Sequence, residues 1–251
     1  MAHASSDRPR TLFITGASSG IGAACARLAA GAGTHLLLHY GANRVGVEDV
    51  ADAARIAGSE VKLIQADLSQ PDQIAELGRI AGEESDPARP LYLVNNAGIV
   101  DRRASLADLT AERLQRMFAV NVIGAMLVAR EAVALMRRRN AGGGIANVSS
   151  AAARKGMGGQ YVDYAASKAA IDCFTIGLAD ELAPEGIRVN SVRPGLIETG
   201  IHEKGGEPDR LNQIGHTPPL GRPGTAEAIL WLLSDKASYT TRSILDVAGG
   251  R

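Results

Sequence analysis

Short apolar runs alternate with segments of helical period from one end of this chain to the other. Thr11–Thr15, His35–His39, Val61–Gln65, Leu91–Asn95, Gly144–Ser149, Ile187–Ser191 and Ser243–Val247 read as strands. Between them the 3.6-residue pattern predicts helices over Ile21–Ala32, Val47–Ala57, Gln73–Glu83, Ala111–Asn140, Tyr164–Leu182 and Ala226–Leu233. A loop rich in Gly and Pro runs from Pro194 to Pro223. Strand and helix alternating this regularly imply right-handed βαβ units. The expectation is an α/β fold, a single doubly wound Rossmann-type parallel sheet with helices on both faces. With no internal repeat or linker-like break, residues 11–251 form one domain after a disordered lead, residues 1–10.

The turn between the first strand and first helix reads Thr15-Gly-Ala-Ser-Ser-Gly-Ile-Gly22. Gly16, Gly20 and Gly22 follow G-x-x-x-G-x-G, a relative of the dinucleotide fingerprint. Gly16 permits the tight turn, Gly20 lets the backbone approach a pyrophosphate, and Gly22 allows close helix–strand packing. The helix N-terminus favours phosphate charge. Further along, Tyr164 and Lys168 stand four apart at the start of a predicted helix, on one face. A free phenol, with its pKa of about 10, is a poor base at neutral pH. A neighbouring ammonium favours the phenolate and brings Tyr164 toward acid/base work.

Composition narrows the class. The 251 residues suit one large domain, and with 4% aromatics its core is built from Ala, Val, Leu and Ile. Lys plus Arg balances Asp plus Glu at 27 each, so no basic excess advertises a nucleic-acid partner. Met1–Arg10 has no apolar segment of a signal peptide, and no run approaches the ~18 consecutive apolar residues of a membrane span. Cys25 and Cys173 fall in different helices, which suits free thiols in a reducing cytoplasm. His3, His35, His39, His202 and His216 have no ligand spacing, so neither a metal site nor a Ser-His-Asp triad is expected.

Taken together, Gly16-x-x-x-Gly20-x-Gly22, Asp67, Asn95-Asn-Ala-Gly98, Asn121, Ser150, Tyr164-x-x-x-Lys168 and Pro194-Gly195 resemble the short-chain dehydrogenase/reductase family over nearly the whole chain. The resemblance implies a nicotinamide cofactor that carries the hydride. It implies catalytic roles for four residues. Tyr164 is the acid/base. Ser150 hydrogen-bonds the substrate oxygen. Lys168 holds the nicotinamide ribose, and Asn121 holds a water in a proton relay to that lysine. It also places Ser18, Ser19, Ile21, Asp67, Leu68, Asn95, Ala97, Gly98, Pro194, Gly195, Ile197 and Thr199 at the cofactor, Asp67 and Leu68 flanking adenine and Asn95–Gly98 lining the adenosine side. A cytoplasmic homo-oligomer, tetramer or dimer, is expected.

The interval from Ser150 to Tyr164 is 14 residues, one more than in many members, which leaves Ser149 as a second candidate for the serine. Tyr161 is a decoy, since Ala165 and not lysine follows it by four. After the second strand the chain reads His39-Tyr-Gly-Ala-Asn-Arg44, with no acid before Glu48. A carboxylate there would bind a ribose 2′-hydroxyl and repel a 2′-phosphate. Asn43 and Arg44 instead offer hydrogen bonds and charge to a phosphate, so NADP is favoured and NAD is the other candidate. Two departures bear on assembly: the segment between Gly224 and Trp231 is about one helical turn short, and Arg242 stands where the family usually has glycine. Specificity is expected in a loop over about 196–219, whose mixed side chains name no substrate. A carbonyl reductase leads. A sugar or polyol dehydrogenase and a non-catalytic dinucleotide sensor are its rivals.

Overall fold

Seven parallel strands form one sheet in the order β3-β2-β1-β4-β5-β6-β7. They are β1 (Arg10–Ile14), β2 (Thr34–Tyr40), β3 (Glu60–Gln65), β4 (Leu91–Asn95), β5 (Gly143–Val148), β6 (Ile187–Pro194) and β7 (Ile244–Val247). This computed structural model describes residues 9–139, 141–195, 217–222, 224 and 226–250. The expected Ile197 and Thr199, most of the 196–219 loop and most of the lead lie outside the described residues. All six pairings are parallel, as the alternation of strand and helix requires.

The central strands are buried on both sides, which is why they read as unbroken apolar runs. Leu36, Leu37 and Leu38 are all fully buried. On one face, Leu12, Ile14, Leu36 and Leu38 meet helices α1 (Gly20–Ala29), α2 (Arg44–Ile56) and α8 (Glu227–Leu233). On the other, Phe13, Leu37, Leu93 and Val189 meet α3 (Pro71–Glu84), α5 (Ala125–Arg137) and α7 (Val162–Leu182). Alternate residues of one strand thus serve opposite layers, each large side chain contributing about 1.5–3 kcal/mol. The short α6 (Ala152–Lys155) follows β5.

Most boundaries differ from the sequence reading by one to three residues at each end, but one difference is of kind. The helix expected over Ala111–Asn140 is α4 (Ala111–Phe118), a π-helical turn (Ala119–Gly124) and α5. A π-turn carries its carbonyls one residue further along and recurs at functional sites in helices. Gly124 closes it against Leu68: a Cβ there would sit 2.3 Å from the Leu68 carbonyl oxygen. The run Ala111–Arg137 is long and apolar enough to cross a membrane by length and composition, yet half of its most apolar stretch is buried inside the domain, where α5 packs on α3 and β4. That is the burial of a core helix.

Candidate active site

The carboxyl ends of the strands open on a cavity of about 790 Å3, at the point where the strand order reverses between β1 and β4. Its floor is the glycine turn. Gly16 and Gly20 take φ of +67° and +59°, the left-handed region that favours glycine. Gly22 lies outside the cavity and serves packing: a Cβ would stand 2.4 Å from the Gly16 carbonyl oxygen. Gly16, Ser18, Ser19, Gly20 and Ile21 all line the cavity, and α1 starts there with no acidic residue in its first turn.

Three residues that the sequence reading gave no such role hold this floor in place. Thr15 Oγ1 accepts from the backbone N–H groups of Asn96 and Ala97, both at 2.9 Å. Asn96 Nδ2 donates to the Thr15 carbonyl at 2.8 Å. His39 Nδ1 accepts from Gly16 N–H at 3.1 Å, and its Nε2 donates to the Ala66 carbonyl at 3.0 Å. The imidazole is therefore neutral; burial pulls its pKa down to about 4 against the weaker pull of the Ala66 hydrogen bond. For His39 the sequence signal was its place at the end of β2, and for Asn96 its place beside Ala97.

Asp67, Leu68, Ala97 and Gly98 also line the cavity, as expected of them. Asp67 Oδ1 accepts from Ser69 N–H at 2.9 Å, which shapes the loop before α3. Asn95 does not come to the cavity. Its side chain is buried, donating to the Ala125 carbonyl (2.9 Å) and to Asn147 Oδ1 (3.0 Å), because strand alternation turns it toward α5. Asn43 reaches the wall, but its side chain caps α2: Oδ1 accepts from Gly46 N–H at 3.0 Å, and Nδ2 donates to the Ser18 carbonyl at 3.4 Å. Arg44 stays off the lining, exposed and paired with Glu48 at 2.7 Å, a pair that holds its pKa above the ordinary value.

Across the cavity, Ser150, Tyr164 and Lys168 come together with Pro194 and Gly195. The Tyr164 hydroxyl is hydrogen-bonded to Ser150. Ser150 Oγ also accepts from Ala152 N–H at 3.1 Å, where the chain turns into α6. Ser149 Oγ is turned inward and donates to the Lys168 carbonyl at 3.0 Å, so the two serines divide into one at the tyrosine and one under the helix. Tyr161 precedes α7 and is buried off the cavity. Asp163 pairs with Arg113 at 2.7 Å, its side chain fully buried, and this fastens the start of α7 to α4 just before Tyr164.

Lys168 is 4% exposed, with Nζ donating to the Val148 carbonyl at 2.8 Å and lying 5.9 Å from the centroid of the Tyr164 ring. Burial lowers its pKa to about 8, and the Asp172 carboxylate resists that fall. The phenol departs from the sequence reading. Burial raises its pKa, and the opposing influence here is the Ser150 hydrogen bond rather than the ammonium. Asn121, within the π-turn, is buried and does not line the cavity. Its Oδ1 accepts from Ile99 N–H (2.8 Å), and its Nδ2 donates to Ile99 O (2.9 Å) and Ser167 Oγ (3.1 Å). Gly98 sits between it and the lysine, since a Cβ there would be 3.2 Å from Asn121 Oδ1 and 3.4 Å from Lys168 Nζ.

These residues fit a nicotinamide dinucleotide: a cradle that a Cβ on Gly16 or Gly22 would crowd, a helix N-terminus beside it, and a tyrosine–lysine pair opposite. Among the described residues no cluster of His, Cys, Asp and Glu could hold a metal. Residues 16–251 match the family model described as enoyl-(acyl carrier protein) reductase. The chain is 46% identical over 245 residues to the uncharacterized oxidoreductase YgfF of Escherichia coli, covering 95% of this chain and 98% of that one. A short-chain dehydrogenase/reductase of Serratia marcescens, solved as a mutant, superposes with a TM-score of 0.85 at 32% identity, covering 97% and 98% of the two chains. A putative NAD(P)-dependent gluconate 5-dehydrogenase of Beutenbergia cavernae, solved with bound NADP, also gives 0.85, at 31% identity and 97% and 96% coverage. With the glycine turn and the tyrosine–lysine pair at opposite walls of one cavity, this chain belongs to the short-chain dehydrogenase/reductase family, enzymes that interconvert alcohols and carbonyls.

Proposed function

We propose that this protein reduces a small carbonyl compound to the secondary alcohol, with NADP as its preferred cofactor and Tyr164 as its acid/base. The observation that carries the reading is the Ser150–Tyr164 hydrogen bond, with Lys168 one turn further along α7 and all three facing the glycine turn. When bound, the nicotinamide dinucleotide supplies or takes up the hydride. Gly16, Ser18, Ser19, Gly20 and Ile21 would hold its pyrophosphate, Asp67, Leu68, Ala97 and Gly98 its adenosine side, and Lys168, Pro194 and Gly195 its nicotinamide side.

Ser150 Oγ orients the substrate oxygen toward Tyr164 Oη. In reduction Tyr164 gives its proton to that oxygen, and in oxidation it takes one. A raised pKa suits the donor, because the phenol is then fully protonated at neutral pH. Lys168 stabilises the phenolate left behind, and Asn121, whose side-chain amide is engaged by Ile99 and Ser167, would hold a water in the relay to it.

Preference for NADP is supported by what ends β2. His39 is turned into the floor, Gly41 and Ala42 line the wall, and no carboxylate faces the cavity there. Helix α2 begins at Arg44, so its N-terminus and the guanidinium favour a 2′-phosphate. Similarity to the gluconate 5-dehydrogenase supports a second reading, oxidation of a sugar or polyol. The intact Tyr164 and Lys168 argue against a mere dinucleotide sensor. Exposed Trp231 on α8 and Leu245 on β7 leave apolar surface for a homo-oligomer, and the free thiols Cys25 and Cys173 suit the cytoplasm.

The test is a panel of ketones, aldehydes and sugars assayed with both cofactors in both directions. Faster turnover of a carbonyl with NADPH supports the reading. Preferential sugar oxidation selects the second, and dinucleotide binding without any turnover rejects both.

A further inference from the structure

Tyr164 stands in the first turn of α7, the part of a helix most prone to fray. Local capping does little to hold that turn. Tyr161 precedes the helix without a side-chain capping bond, and nothing lies within 4 Å of a Cβ built on Gly156, Gly158 or Gly159 in the loop before it. One backbone bond, from Ala104 N–H to the Gln160 carbonyl at 2.9 Å, joins that loop to the chain after β4. The firmer fastener is Arg113. Its Nε donates to Asp163 Oδ2 at 2.7 Å and its Nη2 to Oδ1 at 3.3 Å, a two-pronged grip on the residue before Tyr164. Its Nη1 donates to the Arg102 carbonyl at 2.8 Å, so one guanidinium joins α4, α7 and the loop after β4. Arg113 is itself anchored, since the Thr110 hydroxyl that caps α4 accepts from its backbone N–H at 3.2 Å.

We propose that Arg113 is a positioning residue for Tyr164, its grip on Asp163 setting the first turn of α7 so that the tyrosine hydroxyl meets Ser150. The effect on turnover rests on the function proposed above. Stability does not account for the pair. The carboxylate is wholly out of water and the guanidinium 13% exposed, and a buried ion pair is often no more stabilising than apolar side chains of similar volume. What apolar packing lacks is direction. The planar fork fixes the Asp163 rotamer, and with it the rotation of the turn about the helix axis. A displacement of about 1 Å at a reacting group can lower a rate about 100-fold. The neighbouring pair Arg116–Asp101 joins α4 to the same loop but does not reach α7, and its arginine is exposed.

Stability and positioning therefore separate. Arg113→Met combined with Asp163→Leu leaves no charge buried and should unfold at no lower a urea concentration than the parent. Its kcat should fall by about 10–100-fold with KM little changed. Arg113→Lys keeps the charge but not the fork, and should lie between. Arg116→Met is the control and should match the parent. A readout independent of turnover is the 13Cζ resonance of Tyr164 in tyrosine-labelled protein, one of five, assigned with Tyr164→Phe. It should move in the double variant, as the bond to Ser150 is lost, and stay in Arg116→Met.

A moved resonance together with a lowered kcat supports the positioning role. An unmoved resonance in the folded double variant overturns it, even if kcat or stability falls, since the tyrosine would then stand where it stood. If the double variant does not fold, the resonance and kcat of Arg113→Lys decide in the same way. If the resonance moves as expected but the parent turns over no carbonyl or alcohol, the positioning stands and the proposed function fails.

Discussion

The backbone N–H of Gly16 ends on the ring of His39, 3.1 Å from Nδ1, and not on a peptide carbonyl. The same ring ties the glycine turn to Ala66, the residue before Asp67 and the loop into α3. A proton on Nδ1 would replace an acceptor by a donor and force the turn away. His39 is neutral when folded, with a pKa of about 4 against an ordinary 6.5, so the unfolded chain binds the extra proton. Stability from this source is present above pH 6.5 and is lost as pH falls toward 4, by up to roughly 3 kcal/mol. Melting temperatures over that range should fall more steeply for the parent than for His39→Leu. Buried His35, its pKa also lowered by burial, remains in both proteins. Equal slopes would show that His39 is not the group responsible.

The Arg44–Glu48 pair bears on cofactor choice. Arg44→Ala should weaken NADPH roughly tenfold while leaving NADH nearly unchanged, because the 2′-phosphate exists in NADPH alone. Glu48→Gln should do the reverse, releasing the guanidinium from its partner at 2.7 Å and tightening NADPH. Dinucleotide titrations of both variants decide this, and parallel changes for the two cofactors would remove the basis for NADP preference.

Replacing Tyr164 by Phe deletes one hydroxyl and leaves ring and helix in place. Turnover should fall by about 10²–10⁴-fold with cofactor affinity retained. Lys168→Ala should lower both. Tyr161→Phe, buried off the cavity, should cost little turnover. Steady-state kinetics beside dinucleotide titration test all three. Retained activity in Tyr164→Phe would end the acid/base assignment.

Arg242 adopts φ of +64°, a left-handed backbone in which a side chain costs about 1–2 kcal/mol. The family's usual glycine at this position is thereby accounted for. The compensation is an ion pair with Asp180 at 2.8 Å, both side chains more than half exposed and so worth about 0–1 kcal/mol. Arg242→Gly should therefore stabilise the protein modestly, by up to about 1 kcal/mol in urea unfolding. Destabilisation would mean that the Asp180 contact outweighs the backbone strain.

The strands and their order of appearance were legible because sheets buried on both faces produce apolar runs, as at Leu36–Leu38. Ser150, Tyr164 and Lys168 were legible as a set because family motifs supplied their spatial relation. Less visible was whatever depends on orientation. Periodicity could not distinguish Asn95, which turns to the core, from Asn96, which secures the turn. The Arg44–Glu48 pairing was open to inspection, being four residues apart on a helix, but spacing alone does not say that the pair competes with a phosphate. The π-turn was hidden because one inserted residue scarcely disturbs a hydrophobic pattern about thirty residues long.

That inserted residue has a consequence for how the chain can change by insertion and deletion. A π-turn is an α-helix carrying one residue in excess, so losing a single position between Ala119 and Gly124 lets the helix close regularly while α4 and α5 keep their phase. The apolar stripe of α5 would still meet α3, but where Asn121 is the residue lost, its hold on Ile99 goes with it. Losing one codon here is therefore expected to leave the sheet in place while removing the grip on Ile99 at the cavity wall, so length variation within this helix bears on the cavity and not on the fold.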